Sequence, residues 1–172
     1  MLWKTEFSPL LKDFELKHQP VIIRVNKFDE KAAQDFNSKM AAAQSTGQKV
    51  VPVVIDSYGG QVYSLMSMIS AIKSSEIPVA TIVEGKAMSC GAVLLSFGEQ
   101  GMRFADEDAT IMIHDVSSGG RGKIEELKAD VAEADRLDEK IFTMMARNCG
   151  KKDDYFKKKV FNKKHADWFM DA

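Results

Sequence analysis

The stretch PVATIVEGKAMSCGAVLLS, residues 78–96, passes from an apolar run into small residues that flank one hydroxyl and one thiol. Residues 78–83 are apolar on both faces and predict a buried strand. Residues 87–91 nearly form a G-x-S-x-G pattern, with alanine in place of the first glycine. That pattern needs small residues because its serine stands on a sharp turn between a strand and a helix. The stretch therefore predicts a strand, a turn at Ser89 and a helix.

The same alternation of strands and helices extends to both sides of this stretch. Apolar positions recurring at helical spacing predict helices, and short apolar runs predict strands. The predicted helices are 30–44 and 62–72, and the other predicted strands are 21–25, 50–55 and 110–113. Strands that are apolar on both faces and alternate with helices imply an α/β fold with a parallel sheet covered on both sides.

Three polar or flexible elements follow the carboxyl ends of predicted strands. They are the turn at Gly59–Gly60, the approach to Ser89, and His114. In open α/β sheets the ligand site lies beyond the carboxyl ends of the strands. We therefore expect these elements to meet in one site.

Each of these residues also has a structural interpretation. Taken alone, Ser89 is more often a helix N-cap than a nucleophile. The Gly59–Gly60 pair can be only a tight turn, or it can bring a backbone N–H to an oxyanion. If Ser89 faces the site, Cys90 is turned about 100° away around the helix, so its backbone N–H rather than its thiol would serve the site.

His114 ends an apolar strand, where a histidine held by a backbone carbonyl is the usual finding. It also stands where a general base for Ser89 would stand. Asp115 points to the opposite side of an extended strand and is a poor candidate for orienting His114. The acid that completes such a site is expected elsewhere in the chain.

Composition limits the class of protein. The 172 residues suit a single domain, and a net charge of -1 argues against nucleic acid as the main partner. No apolar run approaches a membrane span, and the first twenty residues are too acidic and interrupted for a signal peptide. Cys90 and Cys149 form no disulfide framework and no metal-ligand cluster, which favours a cytoplasmic protein.

A long helix is predicted at about residues 123–147, with a narrow apolar stripe and charged flanks. The stripe comprises Ile124, Leu127, Val131, Ala134, Leu137, Ile141 and Met144. This helix can lie along its own domain or form a seam against another subunit. The second arrangement is the one we expect.

Four segments together resemble the Clp protease proteolytic subunit family, which comprises ATP-dependent serine peptidases. The resemblance covers residues 50–167. IDSYGGQVYSLMSMISAI is similar to the family's I-N-S-P-G-G-x-V segment, and GKAMSCGAVLLSFGEQGMRFA to its G-Q-A-A-S-M-G-A segment. ATIMIHDVSSGGRGK resembles the I-M-I-H-Q-P-x-G-G segment, and HADWFMDA resembles R-D-x-F-M-S-A.

The resemblance implies a crotonase-like, Clp protease-like fold with a parallel sheet head and a protruding handle helix. It implies Ser89 as nucleophile, His114 as base and Asp167 as the third triad residue. The backbone N–H groups of Gly60 and Cys90 would form the oxyanion hole. It further implies stacked seven-membered rings, unfolded polypeptides as substrates and a Clp-type unfoldase ATPase as partner. That partner would use the ATP, so this chain needs no cofactor and no metal.

By the same resemblance, one domain comprises four parts. They are an N-terminal arm at 1–19, the head at 20–114, the handle loop and helix at 115–150, and a return to the head at 151–172. Two alternatives use the same fold: a crotonase-type acyl-CoA enzyme, and a catalytically inactive ring subunit. A membrane-bound serine–lysine peptidase fits less well because no membrane segment is expected.

Overall fold

The structure, a computed structural model, describes residues 19–117 and 119–172. The predicted N-terminal arm, residues 1–19, therefore lies outside the described residues except for Gln19. The strands are β1 (Ile23–Val25), β2 (Val51–Ser57), β3 (Val79–Met88), β4 (Arg103–Ala105), β5 (Thr110–Ile113) and β6 (Trp168–Asp171). The helices are α1 (Glu30–Gln44), α2 (Val62–Lys73), α3 (Cys90–Leu95), α4 (Ile124–Asn148) and α5 (Tyr155–Asn162).

The predicted elements are all present, and apart from β3 their bounds lie close to the predicted ones. α1 begins where expected because the Asp29 carboxylate accepts a hydrogen bond from the Ala32 N–H at 2.7 Å. The apolar positions that predict α1 and α2 are buried in the core, among them Phe36, Met40, Leu65 and Ile69. The short strands β4 and β6 have no sequence prediction, since strands of three or four residues carry little periodicity.

The six strands form one sheet in the order β1-β2-β3-β5-β6, with β4 also paired to β3. All pairs are parallel except β5 with β6, so the sheet is mixed and not wholly parallel as predicted. Two helices, α4 and α5, separate β5 from β6 in the chain. The second helix reverses the chain once more, and β6 therefore returns antiparallel.

β3 runs five residues beyond its predicted end and forks. Its Thr81–Val83 portion pairs with β4, whereas its Lys86–Met88 portion pairs with β5. The β2–β3 register shifts between Ile55 and Ser57, opposite the fork. As a result, Ser89, the residue after β3, lies beside the end of β5.

The two halves of α4 have different surroundings. Its buried residues, Leu137, Ile141, Phe142, Met145 and Ala146, all lie in the second half and join the common core. In the first half Ile124 and Val131 are 72% and 60% exposed. The second half of the predicted apolar stripe therefore packs within the chain, whereas Ile124 and Val131 in its first half are exposed to solvent. Among the described residues, no helix has the length and apolar character needed to cross a membrane.

Candidate active site

Ser89 occupies a strained turn between β3 and α3. Its backbone φ is 53° and its ψ is -119°, a conformation that residues other than glycine rarely adopt. The Ser89 N–H donates to the Met112 carbonyl of β5 at 2.9 Å, which fixes the turn against the neighbouring strand. The side chain makes no capping hydrogen bond to α3. This geometry does not support the N-cap interpretation, because the Ser89 hydroxyl does not cap α3.

The Gly59–Gly60 turn lies against Ser89. Gly59 has a φ of 107°, and a Cβ added to it would come within 2.7 Å of the Ser89 Cβ. A Cβ added to Gly60, with a φ of 149°, would come within 2.4 Å of the Phe28 carbonyl oxygen. Both positions require glycine, because the backbone conformation and the close approach each exclude a side chain. The turn therefore brings bare backbone to Ser89.

The backbone N–H groups that the resemblance assigns to an oxyanion hole are those of Gly60 and Cys90. It is the Gln61 N–H, not that of Gly60, that donates to the Phe28 carbonyl, at 2.8 Å. Cys90 is the first residue of α3, and the first N–H groups of a helix have no partner within it. The Cys90 N–H therefore has no partner within α3.

The Cys90 thiol does not compete with Ser89. It is buried and donates to the Gly60 carbonyl, with 3.2 Å between sulfur and oxygen. Burial raises the pKa of the Cys90 thiol, which disfavours the reactive thiolate. The side chain instead ties the start of α3 to the glycine turn.

His114 and Asp167 meet through the β5–β6 ladder. Ile113 pairs with Trp168 in this antiparallel register, so the next pair along is His114 and Asp167. The His114 Nδ1 and Asp167 Oδ1 atoms are 3.9 Å apart. The side chain of His114 is 24% exposed and that of Asp167 is 51% exposed. The strand pairing thus brings together two residues that are far apart in sequence.

Asp115 is directed away from His114 and contacts His165 Nδ1 through its carboxylate. This arrangement agrees with the predicted strand geometry, which excludes Asp115 as the acid that orients His114. His165 adopts a φ of 58° in the turn before β6. It lies 50 residues after Asp115 in the chain, so the two side chains meet only through the fold.

A single cleft joins most of the predicted site residues. Gly60, Ser89, Cys90 and His114 all line it, whereas Asp167 does not. The cleft is narrow. The space between its walls, out to its mouth, is about 460 Å³, but the centre of a water molecule can occupy only about 50 Å³ of it. Apolar side chains from α2, α3, β5 and α4 form its walls, namely Val62, Val93, Ile113, Ile141 and Phe142.

Sequence reasoning missed two polar residues of the cleft, Ser117 and, on α4, Asp138. The Asp138 Oδ1 accepts a hydrogen bond from the Val116 N–H at 2.9 Å, which attaches the segment after His114 to the helix. Burial raises the pKa of the Asp138 carboxyl above its ordinary value. The sequence contains a signal that could have identified Asp138. It lies beside Leu137 and three positions before Ile141, so it places an acid next to a buried apolar face.

Comparisons with known proteins agree with this geometry. The Clp protease family model matches residues 12–172. ATP-dependent Clp protease proteolytic subunit 1 of Rhodococcus jostii is 29% identical over 148 residues, which is 85% of this chain and 66% of that protein. ATP-dependent Clp protease proteolytic subunit 3 of Nocardia farcinica is 30% identical over 156 residues, or 89% of this chain and 69% of that protein.

A third relative, ATP-dependent Clp protease proteolytic subunit 2 of Frankia casuarinae, is 30% identical over 146 residues, covering 84% of this chain and 67% of that protein. The chain thus spans about two thirds of the length of these relatives. The family model covers nearly all of the chain, and the forked sheet with a long helix is consistent with its fold. As its sequence motifs predict, the chain belongs to the Clp protease family.

Proposed function

We propose that this chain is a serine endopeptidase subunit of a ring-shaped compartmental protease that degrades unfolded polypeptides. The family is one of proteases, and the three relatives are named proteolytic subunits. Family membership therefore supports a serine-type peptidase, and it does not favour the crotonase-type alternative. The observation that carries the chemistry is the strained Ser89 turn, which opens onto the same cleft as His114.

In the proposed mechanism the Ser89 Oγ attacks the carbonyl carbon of the peptide bond, and His114 accepts the hydroxyl proton. The oxyanion that forms accepts hydrogen bonds from the N–H groups of Gly60 and Cys90. His114 then gives the proton to the leaving amine, the carbon–nitrogen bond breaks, and an acyl-Ser89 ester remains. Water activated by His114 hydrolyses the ester and restores the Ser89 hydroxyl.

Asp167 is proposed to orient the His114 ring and to stabilise its charged form. The β5–β6 register supports this role, because it leaves Asp167 Oδ1 3.9 Å from His114 Nδ1. All of these roles belong to side chains and backbone groups of the chain, so the proposed chemistry uses no cofactor and no metal.

The proposed assembly consists of stacked seven-membered rings. The exposed face on the first half of α4 supports it, because Ile124 and Val131 would be covered by a second copy. The relatives' names describe an ATP-dependent protease. By analogy we propose that a Clp-type unfoldase ATPase of the cytoplasm delivers polypeptides to this chain, and that the ATP binds to that partner.

Labelling with a fluorophosphonate tests the nucleophile. Such a probe is expected to add one equivalent to Ser89 of the assembled chain, located by mass spectrometry of the digested protein. Ser89→Ala should lose both the adduct and peptide cleavage while its native mass stays that of the wild type. An adduct on Cys90, or no adduct on the assembled protein, would contradict the proposed function.

A further inference from the structure

We propose that Asp138 makes the cleft beside Ser89 select a substrate residue with a positively charged side chain, lysine or arginine. This residue would stand on the acyl side of the bond that is cut. The inference rests on the proposed function and extends it to substrate preference.

The position of Asp138 is the first step of the argument. It lies on α4 about one turn before Ile141 and Phe142, which wall the cleft, and it lines the cleft together with Ser89. Gly60 and Cys90 line the same cleft, so the side chain of a substrate residue whose carbonyl lies between their N–H groups has this cleft beside it. In the proposed pose that side chain meets apolar walls, the Ser117 hydroxyl and the Asp138 carboxylate.

The carboxylate has an unused acceptor. Its Oδ1 accepts from the Val116 N–H, while its other oxygen has no hydrogen bond or ion pair within residues 19–117 and 119–172. The nearby charges do not neutralise it. Asp115 and Asp135 act on it with like charge, and the cation Lys157, which acts on it with opposite charge, is itself paired with Glu139.

A partly buried carboxylate with a free oxygen discriminates between substrates in two ways. An ammonium or guanidinium group supplies the missing donor in a site partly withdrawn from water, where such a bond is stronger than at the surface. An uncharged side chain would desolvate the carboxylate further without replacing its hydrogen bonds to water. The narrow cleft also favours an unbranched stem such as that of lysine.

Asp138 also has a second role, since its bond to Val116 attaches the segment after His114 to α4. Two variants separate the roles. Asp138→Asn removes the charge but keeps a side-chain oxygen that can accept from Val116, whereas Asp138→Leu removes both. Asp135→Asn is the matched control, because it removes the same charge from an exposed position one turn away on the same helix.

The experiment uses the assembled full chain and two peptidyl diphenyl phosphonates that react with serine nucleophiles. The two probes differ only in the side chain next to phosphorus: lysine in one, and norleucine, which lacks only the ammonium group, in the other. The second-order rate of Ser89 modification is followed by intact mass. The wild type should react with the lysine probe about tenfold faster, as expected for one charged hydrogen bond.

Asp138→Asn should bring the ratio of the two rates close to one, mainly by slowing the lysine probe, and Asp135→Asn should keep the wild-type ratio. A wild type that prefers norleucine would overturn the proposal whether or not any variant assembles. An unchanged ratio in Asp138→Asn would also overturn it and leave Asp138 with its bond to Val116 alone. If neither probe nor a fluorophosphonate modifies Ser89, the proposed function itself fails, which is a different result from equal rates.

Discussion

His114 Nδ1 and Asp167 Oδ1 lie 3.9 Å apart because both residues continue the β5–β6 register by one position beyond Ile113 and Trp168. The distance exceeds that of a hydrogen bond, which needs about 2.7–3.2 Å. A movement of the β6 end by about 1 Å would close the gap. In the proposed triad, we expect assembly or substrate binding to make this adjustment.

Replacing Asp167 tests this relationship. Asp167→Asn should keep the native mass but lower peptide turnover on the order of 10³ to 10⁴, because the imidazole loses the carboxylate that orients it. Asp115→Asn is the matched control and should have a much smaller effect, since Asp115 contacts His165. Turnover is measured with a fluorogenic peptide, with and without an ATPase partner. Equal partner-stimulated rates for Asp167→Asn and the wild type would remove Asp167 from the site.

Gly59→Ala should abolish fluorophosphonate labelling of Ser89, because its Cβ would come within 2.7 Å of the Ser89 Cβ. Gly101→Ala separates this contact from backbone strain, since Gly101 has a φ of 83° and no atom within 4 Å of an added Cβ. Both variants should lower the free energy of unfolding by about 1–3 kcal/mol, the usual cost of such strain. If Gly59→Ala were still labelled, the added Cβ would not displace Ser89, and the close approach of the glycine turn to Ser89 would be contradicted.

Charge on the open half of α4 should disrupt assembly. Val131→Glu is expected to lower the native mass from that of fourteen subunits of 19.2 kDa to that of single rings or single chains, as measured by sedimentation. Phe161→Glu, at an exposed apolar residue of α5, should leave the mass unchanged. Leu137, which belongs to the predicted seam, is unsuitable as a probe because it is buried in the chain's own core. A wild type that is monomeric at all concentrations would contradict the proposed rings.

The two cysteines should differ in reactivity. Iodoacetamide at neutral pH is expected to modify the exposed Cys149 and to spare Cys90, whose thiol is buried and has a raised pKa. Peptide cleavage should continue after the Cys149 adduct has formed, as followed by intact mass. Faster modification of Cys90 than of Cys149 would reopen the question of which residue is the nucleophile.

The preference for lysine should depend on pH through Asp138. Burial is the main cause of the raised pKa of this carboxyl, and Asp115 and Asp135 add to it. Lys157 and the bond from Val116 act in the opposite direction. The carboxyl therefore takes up its proton at a higher pH than an ordinary aspartate, and the lysine-to-norleucine rate ratio should fall as the pH is lowered. The same pH series in Asp138→Asn, which should show no such fall in the ratio, isolates the contribution of Asp138. A ratio that stays constant with pH down to the lowest pH at which the rings persist would contradict the charge-based preference.

The sequence by itself determined the parts of this protein that depend on local pattern. Apolar periodicity predicts α1, α2, α4 and four strands, and the small residues around Ser89 predict the sharp turn. The predictions of the elements and of the turn succeed because side-chain period and turn chemistry act over a few residues. The resemblance to Clp proteases rests on the same local motifs and nominates His114 and Asp167 as triad residues, which stays a prediction.

Only the tertiary structure decided which distant residues meet. The fork of β3, the antiparallel return of β6 and the pairing of Asp115 with His165 depend on hydrogen bonds between segments far apart in the chain. The division of the α4 stripe into a buried and an exposed half depends on how far the rest of the chain reaches along the helix. Asp138 reaches the cleft for the same reason: its helical pattern sets the face it occupies, and only the tertiary structure puts that face in the same cleft as Ser89 and His114.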